Sequence, residues 1–176
     1  PLFIFEDRYR QMLQHALDTD RMFCIGTRIG SETEHILPWS TVGLIRACVR
    51  QPDGTSHLML YGLRRVDLNG WRQKTPFAIA EVSPIEPLCS VEPGELAKLR
   101  DTALSLVPRP EGANADMVRK LAQTLSETSC SERVCDMLSY FFVRDQEAVA
   151  KLLSEPDIAE RYRLLIGELG KRKAEA

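Results

Sequence analysis

Residues Pro1–Leu17, PLFIFEDRYRQMLQHAL, change character in mid-stretch with no room for a loop, and this limits the folds open to the chain. The first five residues are apolar and predict a short buried strand. Glu6 and Asp7 then place negative charge where the start of a helix favours it. Tyr9, Met12, Leu13, Ala16 and Leu17 recur at helical spacing, so one face of that helix is apolar. Glu6 and Arg10 stand at i and i+4 in the favourable order, which predicts a surface ion pair. A strand that turns directly into an amphipathic helix reads as a structural hinge, and it carries no active-site pattern.

The residues that follow read as short strands. Asp18–Arg21 is a polar break, Met22–Thr27 a strand, and Gly30–Glu34 a loop. His35–Ser40, with Pro38, is expected to be irregular, which leaves Trp39 in a loop. In Thr41–Arg50, Gly43, Ile45, Ala47 and Val49 alternate with Leu44, Arg46, Cys48 and Arg50, the period of a strand. Gln51-Pro-Asp-Gly54 is a turn signal, because proline presets φ and Asp-Gly accepts positive φ. Thr41–Leu63 is therefore expected to be a β-hairpin. Arg64–Leu68 continues it or begins another strand, ended by Asn69-Gly70, and Phe77–Val82 is a further strand closed by Pro84. Short strands and short connections favour a small, partly closed barrel over a layered parallel sheet.

Near Pro87 the period becomes helical. Leu96, Leu99, Ala103 and Leu104 form one stripe, broken by Pro108-Arg-Pro110. Val118, Leu121, Ala122 and Leu125 form a second, with Asn114 as a candidate cap. Ser129–Glu132 has capping-box form ahead of Val134, Leu138, Phe141 and Phe142. Ala148, Val149, Leu152 and Leu153 mark a short helix. Asp157 can cap a last one, with Glu160 reaching back and Ile158, Tyr162, Leu165 and Leu169 on one face up to Gly170. Lys171-Arg-Lys173 reads as a solvated, frayed tail. The expected architecture is α+β: a β-rich subdomain with one early helix over residues 1–86 and a helical subdomain over 87–176.

Composition excludes several functions. The 176 residues are 44% hydrophobic and 27% charged, enough for a sizeable core, and the net charge of −2 supplies no global basic field for nucleic acid or an anionic membrane. No apolar run approaches the ~20 residues that span a bilayer. No signal peptide opens the sequence, which begins at Pro1 rather than at methionine. The five cysteines, Cys24, Cys48, Cys89, Cys130 and Cys135, are scattered without a C-x-x-C. With His15, His35 and His57 elsewhere, they read as free thiols in a reducing cytoplasm, not as metal ligands or disulfides.

PL-x-IFE-x-RYR-x-ML-x-x-AL resembles the opening of the N-terminal domain of Lon, the ATP-dependent protease La, a substrate-binding domain also found alone in small proteins and in cereblon-like proteins. Thr41–Arg50, PDG, Leu58–Tyr61 and Gly62-Leu-Arg-Arg-Val66 resemble that family's "VG-x-x-A/I … DG … G-x-x-R-[FV]" run. Phe77–Val82 resembles its "Y-x-x-A-x-V" strand. Val149–Leu153 and Asp157–Leu165 resemble the "LLE … D-x-x-x-RL" close. The resemblance covers essentially the whole chain and implies a PUA-like β pseudo-barrel followed by a helical bundle. Phe5, Glu6, Tyr9, Gly62 and Arg65 are then structural motif residues, with Glu6 and Arg65 as a candidate ion pair. The family's upstream Pro/Leu/Phe-rich strand is absent, and no G-x-x-x-x-G-K-[ST] loop occurs. The resemblance therefore implies a stand-alone, non-catalytic module without cofactor or metal. It would bind unfolded or extended polypeptide in the service of a protease or chaperone system.

Candidate chemistry on the chain is sparse. There is no G-x-S-x-G elbow, and His57 on a strand beside Met59 and Tyr61 fits a structural role better than a catalytic one. Trp39, Tyr61 and Arg64 are the candidate peptide-binding residues, on the barrel surface or where barrel meets helices, set against the alternative of ordinary packing. Arg46, Arg50, Arg64 and Arg65 keep an RNA-binding PUA-like module open as an alternative, although no aromatic stacking pattern accompanies them. A small hydrolase is the remaining alternative, and it requires a Cys or Ser within reach of a His.

Overall fold

The computed structural model describes residues 2–28, 36–107 and 115–175. The chain forms two compact units, Pro1–Glu86 and Pro87–Ala176. It is an α+β fold: an antiparallel sheet with one early helix, then helices.

The first unit contains β1 (Leu2–Ile4), α1 (Asp7–Asp18), β2 (Met22–Arg28), β3 (Ile36–Arg50), β4 (Ser56–Gln73) and β5 (Ile79–Pro84). The strand order is β1-β4-β3-β2, and β5 also pairs with β4. β4 is long enough for two partners on one edge: β1 lies along Ser56–Leu58 and β5 along Val66–Gln73. The apolar stripe of α1 packs on one side of this sheet, where Leu13 and Ala16 bury against Ile4, Ile45 and Leu58.

The β3–β4 hairpin turns where the sequence directs. Gly54 has φ +83, a conformation that costs a residue with Cβ. The Asp53 carboxylate accepts from the Thr55 amide at 2.9 Å and from its hydroxyl at 2.7 Å. These bonds, with Arg10 nearby, hold the Asp53 carboxyl below the usual carboxylate range. Arg10 donates to the Asp53 carbonyl at 2.6 Å and so ties α1 to the hairpin tip.

Several expectations are corrected. The hairpin arms are longer than Thr41–Leu63, because residues 36–40 are strand and Trp39 stands opposite Asp67 on β3, not in a loop. Pro38 is tolerated because it precedes the β4 ladder and lies at the irregularity in the β2 ladder, where no amide is required. Asn69-Gly70 does not end β4; a bulge there is absorbed, and the Asn69 side chain donates to Ser83 Oγ at 2.6 Å. The alternation of β3 breaks between Ile45 and Ala47, so Gly43 and Ile45 are buried whereas Ala47 and Val49 are exposed. Only Ile4 of the opening strand is buried; Leu2, Phe3 and Phe5 are exposed. Glu6 bonds Arg8 rather than Arg10. β1 lies along Ser56–Leu58 of β4, and Arg65 lies seven residues beyond Leu58 on that strand.

The second unit contains α2 (Pro93–Ser105), α3 (Ala115–Glu127), α4 (Ser131–Phe142), α5 (Gln146–Ser154) and α6 (Ile158–Glu175). Ala103, Leu125, Val134, Leu138, Tyr162, Leu165 and Leu169 share its core. Asp145 caps α5 by accepting from the Ala148 amide at 2.8 Å. Asp157 caps α6 through the Ala159 amide at 2.8 Å, but Glu160 pairs with Arg163 instead of reaching back. The Ser129–Glu132 capping box does not form: Cys130 is the N-cap without a side-chain bond, and Glu132 is drawn to Arg161. α6 runs through Gly170 because Leu169 buries beside it and Lys171 pairs with Glu168. The 30–35 loop with His35, the Pro108-Arg-Pro110 break, the Asn114 cap and the Val118 side chain lie outside the described residues.

Arg161 is the charged residue of that core. Its side chain is 1% exposed and bonds Glu132 at 2.9 Å and Asp136 at 3.2 Å, while its Nε has no partner among the described residues. Tyr162 beside it donates to the Ser131 carbonyl at 2.8 Å, and burial pushes its phenol far above the usual value. Arg161→Ala is expected to cost about 3 kcal/mol in urea unfolding, since it opens a cavity in the core and removes the bonds to Glu132 and Asp136. Arg161→Met, which refills the volume, is expected to cost less.

Ser90 and the Ala159 amide hold the Asp157 carboxyl below its usual range. Its stabilisation is complete above the unfolded Asp value of about 3.9 and is lost as pH falls through the lower folded value. Asp157→Ala is expected to lower Tm at neutral pH in thermal melts. The gap to the parent protein should narrow as the pH falls below the unfolded Asp value.

Candidate functional site

α1 covers one side of the sheet, so the other side is decided by alternation. In β4, Ser56 and Leu58 face the core, and His57, Met59 and Tyr61 point away from it. The register supplies their neighbours. His57 stands opposite Val49 on β3 and Phe3 on β1, and Met59 stands opposite Ala47. The Phe3 ring lies 4.8 Å from the His57 ring and 5.7 Å from that of Phe5. Arg46, the bulged residue of β3, lies over the Tyr61 ring at 5.1 Å. Phe5, Phe3, Val49, Met59 and Tyr61 thus form an apolar row on one face of the sheet, with the His57 ring between Phe3 and Val49.

Exposure gives this row its significance. Phe3 is 51% exposed, Phe5 58% and Met59 61%. The two phenylalanines alone leave on the order of 200 Å² uncovered. With Val49, Met59 and Tyr61 the row reaches the 300–600 Å² or so of the largest patch on an ordinary monomer, a size that marks interaction sites. Strand pairing fixes the backbone of Phe3, Val49, Met59 and Tyr61, so a ligand loses little affinity to ordering those positions.

The sequence-derived candidates fall in different places. Tyr61 belongs to the row. Trp39 is half-buried five residues further along β3 from the partner of Tyr61, about 16 Å away. Its buried Nε1 has no hydrogen-bond partner among the described residues. Arg64 is exposed and pairs with Glu86 at 3.4 Å. The structure therefore does not bring Trp39, Tyr61 and Arg64 together. Among the motif residues, Phe5 is in the row, Tyr9 on α1 packs against the core with the Arg8 guanidinium 4.6 Å from its ring, and Gly62 pairs with Gly43 next to a bulge. The four arginines of the RNA alternative separate: Arg46 and Arg50 line one concavity, while Arg64 and the half-buried Arg65 lie further along β4.

Geometry for hydrolysis is not assembled around the described histidines. His57 stacks on Phe3 and His15 lies 5.5 Å from the Phe77 ring, and neither bonds a Cys or Ser among the described residues. Burial pushes the Cys24 thiol up, which makes it a poor nucleophile. No group of three or more His, Cys, Asp or Glu side chains among the described residues is arranged to hold a metal ion. No helix among them is long and apolar enough to cross a membrane.

Residues 1–171 match the family model of the ATP-dependent protease La (LON) substrate-binding domain. The chain belongs to this family. It is 24% identical over 172 residues to the Lon protease of Xanthomonas oryzae pv. oryzae, a match that covers 95% of the chain but 20% of that protein. The chain thus spans about a fifth of the length of that relative. Its fold resembles the N-terminal domain of the Mycobacterium avium complex Lon protease, with a TM-score of 0.71, 16% identity, and 96% of this chain and 89% of the other covered. It also resembles a Lon N-terminal domain protein from Xanthomonas campestris, with a TM-score of 0.66, 18% identity and coverages of 94% and 86%.

Phe3, Val49 and Met59 escaped the sequence reading, although their signal was present in the His57-Met59-Tyr61 alternation. What was missing was which side α1 covers. The Phe3→Ser, Met59→Ser double variant is expected to bind an environment-sensitive apolar dye markedly less than the parent protein. Each change should leave stability within about 0.5 kcal/mol, because both side chains are mostly solvated.

Proposed function

We propose that this domain is a non-catalytic recognition module that binds unfolded or extended polypeptide through the apolar row Phe5, Phe3, Val49, Met59 and Tyr61. One observation carries the reading: a large apolar surface stands uncovered on a rigid sheet face. Unfolded chains expose the side chains that such a surface takes, and folded ones hide them. Binding by apolar contact selects exposed hydrophobic segments without reading a fixed sequence, as a quality-control module requires. Membership in a substrate-binding family supports the same reading. The captured polypeptide would pass to a protease or chaperone system, and five free thiols fit a reducing cytoplasm. The RNA alternative has less support, because Arg64 is occupied by Glu86 and the four arginines do not form one face.

The test is fluorescence anisotropy with a labelled, permanently unfolded polypeptide, its folded counterpart and a short RNA. Micromolar binding to the unfolded chain alone, changing little with salt, is expected. Met59→Asp should weaken it by about tenfold or more, since a charge is then placed against apolar ligand groups. Equal binding of the folded counterpart, or unchanged affinity in Met59→Asp, would overturn the assignment.

A further inference from the structure

At the opposite edge of β3 the ladder ends early. β2 pairs with β3 from Ile36 to Leu44, and the last rung is the Ile45 amide donating to the Arg21 carbonyl at 2.8 Å. Arg21 has φ +58, and its own amide donates back to the Ala16 carbonyl at 2.7 Å. That left-handed residue turns the chain out of α1 and into β2, so β2 does not extend further along β3. Past Ile45, Arg46 is the bulged residue, and Ala47–Arg50 pair with β4 on one side and with no strand on the other, among the described residues. In an antiparallel strand every second residue aims both backbone groups at such an edge. Five residues offer about 16 Å of it.

The open edge is the wall of a concavity of about 630 Å³, lined by Gln14, Leu17, Arg21, Arg46, Cys48 and Arg50 among others. Among the described residues, three guanidinium groups line it and no carboxylate does. The Arg21 side chain has no hydrogen-bond or ion-pair partner among the described residues. Arg50 donates to Gln14 at 2.7 Å, and Arg46 lies over Tyr61. Asp18, an acidic residue nearby on α1, is bound through both oxygens by Gln14.

We propose that this edge takes an extended acidic peptide segment, which adds to β3 as a further strand with its carboxylates on Arg21, Arg46 and Arg50. The backbone supplies the ladder, and the arginines supply the selection. Edge arginines also resist pairing between copies of the chain, because a second edge would bring its own positive charge. The same repulsion becomes attraction for an acidic segment. This site is distinct from the apolar row: the row captures hydrophobic side chains on the sheet face, and the edge reads backbone and negative charge.

The experiment is titration of the full chain with a fluorescent peptide of about eight residues that alternates Glu with Thr, long enough to cover the edge. Three controls accompany it: the Lys-for-Glu peptide, the Glu peptide N-methylated at alternate amides, and a single-stranded RNA. The Glu peptide is expected to bind, the Lys peptide not to bind, and N-methylation to abolish binding. Arg21→Ala, which removes a solvated side chain, should weaken the Glu peptide by about tenfold and leave capture of the unfolded polypeptide unchanged. Arg50→Gln should also weaken it. Binding that survives N-methylation, or survives both substitutions, would overturn strand addition at this edge. RNA binding that is tighter than the peptide and falls steeply with salt would replace it with a nucleic-acid site. The apolar row is read by the unfolded polypeptide and the edge by the peptide, so either assignment can fail alone.

Discussion

The packing of Leu13 and Ala16 onto Ile4, Ile45 and Leu58 is the contact on which the first unit depends. It fixes which side of the sheet is interior, and alternation then dictates the rest. Ser56 and Leu58 turn in, so His57, Met59 and Tyr61 turn out. Ile4 turns in, so Phe3 and Phe5 stand beside them. A one-residue slip of β4 would reverse every assignment on it. The hairpin turn resists such a slip, because Gly54 supplies the left-handed residue and Arg10 clamps the Asp53 carbonyl.

Bulges shape the outer face of that two-sided sheet. The bulge between Ile45 and Ala47 moves Val49 to the outer face, where it extends the apolar row, and leaves Arg46 over Tyr61. Without it, Val49 would join Ile45 in the core and Cys48 would face solvent. The same stretch of β3 borders the apolar row on one side of the sheet and the arginine-lined concavity at its edge. The two proposed sites therefore share one strand without sharing side chains beyond Arg46.

The second unit is built on different terms. Its core holds a guanidinium that two carboxylates neutralise and a phenol that a main-chain carbonyl satisfies. Buried charge of this kind adds little net stability but tolerates few alternative packings, since each misplacement strands a charge. Arg100 extends the pattern by donating to the Ser129 and Thr128 carbonyls just beyond α3, where helical partners run out. Polar groups on α2, α4 and α6 thus set the register that apolar stripes alone leave loose.

Local rules carried much of the architecture. The strand-to-helix switch at Phe5–Asp7, the PDG turn, the helical stripes of the second half and the Asp157 cap each rest on interactions within a few residues. The opening motif, the central run and the closing motif together were enough for the family. Errors arose where a distant partner decided the outcome. Asn69-Gly70 and Pro38 look like strand breakers until β5 and the end of the β4 ladder make room for them. The Ser129–Glu132 box fails because Arg161, far along the chain, takes Glu132. The candidate site was legible at Tyr61 alone. Sequence by itself determined most of the strands and helices, because period, turn chemistry and caps are local. Tertiary structure alone decided which face of the sheet stays bare and where β3 loses its neighbour, because both depend on what α1 covers and how far β2 reaches.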